Sequence, residues 1–175
     1  MNLTLTQEDR AVLPAALLPS TKAHLRVTWT YDDPVITEKL GMAIDRLQTD
    51  YGVRIVPSTY EWTPDETDFV DGKARIPYPP VRQFTIAGAD QAAYGLELKS
   101  IDGVPIIYLV GAWVSGLKVT VQTGFPTATE LAPGLASTIQ QTAAHLFEHR
   151  EILLPGRDFM LPDMAINAAW WLPRV

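Results

Sequence analysis

The chain has no cysteine in its 175 residues. That excludes disulfides, thiolate nucleophiles and thiolate metal sites, and it suits a protein that folds in a reducing cytoplasm. Long hydrophobic runs are missing too. No apolar stretch approaches the roughly 20 residues needed to cross a bilayer, so no membrane contact is expected. The first ten residues lack a basic start followed by an apolar block, so no secretory leader is expected. Cations are few: 14 Lys and Arg stand against 20 Asp and Glu, giving a net charge of −6. The cations are scattered along the chain rather than clustered. A protein that grips nucleic acid through its phosphates shows a basic face, so tight DNA binding is not expected.

What remains is ordinary globular composition, 47% hydrophobic and 19% charged. The length suits a single domain over residues 1–175, long enough to bury a core. Its organisation reads as helical over 1–52, strands and turns over 53–125, a long helix over 131–154, and a terminal segment over 155–175. The expected fold class is therefore α+β. The N- and C-terminal helices would pack as a small bundle, with a mostly antiparallel sheet inserted at about residues 53–125.

The clearest early helix starts at Asp32-Asp33-Pro34, where Asp can cap open N–H groups and Pro suits the first helical position. Ile36, Leu40, Ala43, Ile44, Leu47 and Tyr51 follow at helical spacing, and Gly52 fits the residue just past its end. Before it, Ser20–Val27 reads as a short helix capped by Ser20 or Thr21. The period then changes. Val53–Trp62, Ala74–Tyr78, Val81–Ala87, Leu96–Ile101, Ile106–Val110 and Leu117–Thr123 are β-rich runs bounded by Gly, Pro and Asp. Asp71-Gly72 and Asp102-Gly103 are tight-turn dipeptides. Pro77, Pro79 and Pro80 argue against a central strand there, since each removes a ladder donor.

Two incompatible readings meet in the helix that starts at Pro133. His145-Leu-Phe-Glu148-His149 spells H-x-x-E-H, a zinc-peptidase pattern in which Glu148 would be the base and the histidines the ligands. Leu135, Ile139, Ala143, Leu146, Phe147 and Arg150 define the apolar side of the same helix. At about 100° per residue both histidines fall roughly 120° from its centre, on the polar side with Gln141 and Thr138. A zinc site sits in a cleft and needs a third ligand, and only Glu151, Asp158 and Asp163 follow as carboxylates. The spacing therefore favours a solvated or interface helix face, and no metal or cofactor is expected.

Other candidates are weaker. Ser20 and Ser58 lack a nucleophile-elbow context, His24 reads as a surface residue, and no phosphate-cradling Gly loop occurs. Asp65, Glu66, Asp68 and Asp71 lack calcium-loop spacing and read as a solvated turn. Trp29, Trp62 and Trp113 read as packing residues. Trp170 and Trp171 are adjacent and cannot both face one way, so one suits a core and the other a partner.

The order of these pieces resembles the head–tail connector (adaptor) family of long-tailed bacteriophages, with similar proteins in prophages and gene-transfer agents. The likeness spans roughly residues 20 to 175. It is carried by Thr21-Lys-Ala-His-Leu-Arg-Val27 ahead of Asp32-Asp33 and an apolar helix, Ile76-Pro-Tyr-Pro-Pro-Val81, and Val119-Thr-Val-Gln-Thr-Gly-Phe125. Ala132-Pro before the long helix, Ala144-His-Leu-Phe-Glu-His-Arg-Glu151 and the closing Leu172-Pro-Arg-Val175 complete it. The sequence departs from the pattern at Gly41, inside the first long helix, and at His149, where the family has asparagine.

The resemblance implies a virion protein of the head–tail interface, made in the host cytoplasm and not an enzyme. Its copies, about a dozen of them, would form a closed heterologous ring beneath the portal protein. The ring would extend the DNA channel and offer a platform to a stopper or tail-completion protein. Double-stranded DNA would pass without being held, which a negatively charged wall favours. Portal docking is expected from the terminal segment through Trp170, Trp171, Leu172 and Arg174, and subunit contacts from His145 and His149. The alternatives are a stopper or tail-completion protein of the same interface, or a small zinc-dependent hydrolase.

Overall fold

The structure, a computed structural model, describes residues 3–76, 78–86, 96–101, 104–109 and 117–148. The chain divides into two compact units, one drawn from residues 3–9 and 52–124, the other from 10–51 and 125–148. Helices and antiparallel sheets together give the expected α+β class.

In the first unit the strands are β1 (Leu3–Glu8), β2 (Ser58–Trp62), β3 (Lys73–Arg75), β4 (Val81–Ile86), β5 (Leu96–Ile101), β6 (Val104–Leu109) and β7 (Val119–Thr123). They form two antiparallel sheets, ordered β1-β2-β7-β4 and β3-β6-β5, rather than one. The expectation of helix from residue 1 is corrected here. Leu3-Thr-Leu-Thr alternates apolar and polar, the period of a strand, and β1 pairs with β2 from Leu3↔Trp62 to Glu8↔Ser58. Pro79 and Pro80 lie between β3 and β4, each an edge strand of its sheet, where a missing donor does least harm.

The register fixes what each face of the four-stranded sheet carries. The row Leu5–Tyr60–Val121–Phe84 and the row Leu3–Trp62–Val119–Ile86 point one way. Six of these eight, all but Leu3 and Leu5, are buried in a core shared with Ala74, Ile76 and Ile107. Trp62 is fully buried, and truncating such a side chain costs about 3–5 kcal/mol. The alternate rows point the other way: Thr4–Glu61–Thr120–Thr85 and Gln7–Thr59–Gln122–Gln83. These positions are exposed or half-buried.

A tight turn forms at the first of the two dipeptides. Asp71 (φ 51) and Gly72 (φ 69) are both left-handed, and Val70 and Lys73 exchange two 3.0 Å backbone hydrogen bonds around them. This is the geometry that a two-residue hairpin turn demands. Ile101 pairs with Val104 at the second reversal, while Asp102 and Gly103 themselves lie outside the described residues.

The second unit packs three helices on one another: α1 (Val12–Leu25), α2 (Asp33–Tyr51) and α3 (Pro133–Glu148). α2 runs as its spacing predicts. Ile36, Leu40, Ala43, Ile44 and Leu47 are buried, and Gly52 at φ +64 ends it. Gly41 does not break the helix; a Cβ there would meet nothing within 4 Å.

α1 is longer than expected and starts well before Ser20. Pro14 falls in the first turn, where its missing N–H is not needed, and Pro19 lies inside. Ser20 and Thr21 do not cap this helix. Their hydroxyls donate back to the Leu17 carbonyl at 2.9 and 2.8 Å. Arg26 (φ 56) closes it, with the Val27 N–H reaching the Lys22 carbonyl at 3.0 Å.

Candidate interaction surfaces

The corner between α1 and α2 is pinned by charge and presents aromatics. Lys22 Nζ donates to Asp33 Oδ1 at 2.5 Å, joining the two helices where both groups are largely shielded. Trp29 Nε1 donates to Asp32 Oδ2 at 2.6 Å. The two aspartates expected to open α2 thus hold its approach through Lys22 and Trp29. Trp29 is not a packing residue. It is 54% exposed and Tyr31 88%, while Val27 takes the buried position. Trp62 does pack, and Trp113 lies outside the described residues.

α3 buries Thr138, Ile139, Thr142, Ala143 and Ala144. Thr138 was expected on the polar side. It is 1% exposed because its hydroxyl donates to the Gly134 carbonyl at 2.8 Å and leaves only its methyl to the surroundings. The buried stripe is therefore turned toward the threonines, and His145 is half-buried rather than solvated. Glu148 is exposed at the end of the helix. His149, Trp170, Trp171, Leu172 and Arg174 lie outside the described residues. Among the described residues no group of three His, Asp or Glu could hold a metal ion.

The remaining sequence candidates serve local structure. Ser58 is buried; its hydroxyl donates to the Val56 carbonyl at 3.0 Å and accepts from Arg54 Nε at 2.9 Å. Ser20 accepts from Gln140 Nε2 of α3 at 2.6 Å. His24 is exposed. In the acidic segment, the Asp65 carboxylate accepts from the Thr67 N–H at 3.1 Å. The Asp68 carboxylate accepts from the Asp65 N–H at 3.1 Å and from the Trp62 indole at 3.2 Å. This reciprocal capping of the short Glu66–Asp68 turn uses carboxylates that a cation loop would need free.

Two clusters were not legible in the sequence because strand pairing assembles them. Arg54 ion-pairs with Glu8, so it ties β1 to the approach of β2. Beside it Tyr60 stacks on Tyr78 with ring centroids 5.0 Å apart. Burial pushes the Tyr60 phenol up, the Arg54 charge partly offsets this, and Tyr78 and Glu8 add to the rise. On the three-stranded sheet, Tyr108 lies between Lys73 and Lys99, whose ammonium groups are 5.9 and 5.4 Å from the ring. Lys99 also pairs with Glu97 at 2.7 Å, and this hydrogen bond and charge raise its pKa.

No family model and no curated protein matches the sequence. Solved structures do match. The chain is similar to one in the neck of an empty gene transfer agent (GTA) particle computed with C6 symmetry. That match has a TM-score of 0.69 and 21% identity, covering 100% of this chain and 97% of the other. It is also similar, at TM-score 0.68 and 22% identity with the same coverage, to a chain of the virion of a native GTA particle. A chain in the neck of a native GTA particle computed with C12 symmetry matches with the same figures. The three share the fold of this chain.

Proposed function

We propose that this protein is a structural subunit of the neck of a phage-like particle. In this reading it is a head–tail connector whose copies form a ring beneath the portal, join the DNA-filled head to the tail and extend the DNA channel. The observation that carries this is the fold likeness to chains from GTA necks over 100% of this chain. That those necks were computed with C6 and C12 symmetry supports a cyclic assembly, in which each copy meets its neighbours through two different surfaces.

The mechanism is association rather than catalysis. Ser58, Asp65 and Asp68, weaker site candidates of the sequence, are used in turns and caps. The partners are the portal protein, other copies of this chain, and a stopper or tail-completion protein. Double-stranded DNA passes through without tight binding. Trp170, Trp171, Leu172 and Arg174 dock the portal, and His145 and His149 lie at the contact between copies.

The test mixes the purified chain with its portal protein and images the product. A ring seated on the portal is expected. Removing residues 166–175 should leave a folded chain that no longer docks. A chain that binds only a preformed connector ring and never the portal would instead be a stopper.

A further inference from the structure

Resting on the neck reading, we infer that neighbouring copies in the ring meet through two apolar patches carried by every chain. One is the aromatic corner of Trp29 and Tyr31 with the outer side of α2. The other is the platform of Leu5, Tyr60 and Tyr78 beside β1. The large apolar side chains exposed among the described residues gather in these two places, with Val70 standing apart. Trp29, Tyr31, Val35 and Met42 all fall within positions 29–42. Val35 and Met42 are about two helical turns apart, so they share one side of α2, away from the face that buries Ile36, Leu40 and Leu47. Leu5 stands opposite Tyr60 in the strand register, and Tyr78 stacks on the same ring at 5.0 Å. Tyr60 is buried, while Leu5 and Tyr78 are left open beside it.

The corner is built to be covered by protein. Trp29 uses its one side-chain donor on Asp32 at 2.6 Å, so a partner can seal the indole without stranding an N–H. The Lys22–Asp33 ion pair at 2.5 Å fixes the same corner, so the aromatics are in place before a partner arrives and little ordering cost remains. Water gains nothing from such a surface, since apolar area is more stable removed from it. A phosphate backbone is disfavoured by the Asp32 and Asp33 carboxylates beside it. The occupant is another copy of this chain because a closed ring has a specific requirement. Every copy must carry two different patches, each fitting the other on its neighbour. This chain carries two, one in each of its compact units, and both combine tyrosine with aliphatic side chains. The C6 and C12 symmetry of the necks it resembles is the arrangement in which such a pair is used up all round.

The absence of cysteine lets each patch be tagged alone. Three chains are made: Tyr31→Cys, Leu5→Cys, and both substitutions together. Each is assembled on the portal protein and treated with a short bismaleimide, which joins thiols that lie close to one another. The doubly substituted chain is expected to give a ladder of covalent oligomers beyond the dimer, while each singly substituted chain stays uncrosslinked to its own kind. Dimers from Tyr31→Cys alone would mean that like patches meet, and they would overturn the inference. Rings that form and yield no ladder would do the same. As a second measurement, Tyr31→Ala is expected to raise the concentration needed for ring assembly at least about tenfold, with the melting temperature of the single chain unchanged. Assembly as efficient as that of the wild type would count against the contact. If the wild-type chain itself forms no ring on the portal, the neck reading falls, and that result is separate from rings that form without the ladder.

Discussion

Gly124 meets two constraints that no side chain can satisfy together. Its φ is +78, and a Cβ built on it would stand 2.1 Å from the Val56 carbonyl oxygen and 2.6 Å from the Val56 carbonyl carbon. Both obstacles are backbone, so nothing can swing aside. Gly124→Ala is expected to cost about 2–4 kcal/mol, combining left-handed strain with forced displacement of the chain. Urea unfolding followed by tryptophan fluorescence would measure it, and a loss below about 0.5 kcal/mol, an ordinary surface effect, would contradict the geometry. The Gly-aromatic pair after β7 was visible in the sequence; its cause, the close approach of residues 55 and 56, was not. Thr138 teaches the converse. A hydroxyl that bonds within its own helix makes a core residue look polar, which shifts the apparent apolar stripe of α3 away from its threonines.

At the level of elements, local signals were reliable where one period ran without interruption. β5 falls on Leu96–Ile101 as read, and α2 on Asp33–Tyr51. The failures have physical causes. Pro14 and Pro19 hide where α1 begins, so within the helical stretch only its end stands out, as the short helix Ser20–Val27. β1 is six residues long and its pairing partners lie 50 to 59 positions away, so nothing near it in the sequence declares a sheet. The structure makes β1 a working edge, tied through Leu3↔Trp62 and by the Glu8–Arg54 ion pair. Removing residues 1–9 should therefore expose β2. Hydrogen exchange at those amides of 58–62 that bond to β1 is expected to quicken at least about tenfold, equivalent to about 1.4 kcal/mol. Unchanged protection would show that β1 is dispensable to the sheet.

For the whole molecule, the net charge of −6 makes one expectation plain. The purified chain should show no measurable affinity for duplex DNA at about 0.15 M salt, where charges beyond about 8 Å are screened. Fluorescence anisotropy with a labelled duplex checks this, and micromolar binding that weakens steeply with salt would count against a channel that lets DNA pass. The sheet order β1-β2-β7-β4 also sets a timetable for the newborn chain. β7 is the last of the four strands to be made, yet it lies between β2 and β4 and, among the described residues, is the only sheet partner of β4. At about 5–20 residues per second, a ribosome needs roughly 2–7 s to travel from the end of β4 to the end of β7. Through that interval β4 has no strand to pair with, and Phe84 and Ile86 stand uncovered by it. The nascent protein thus passes through a window in which holding chaperones have an apolar target, and the arrival of Val119–Thr123 closes it.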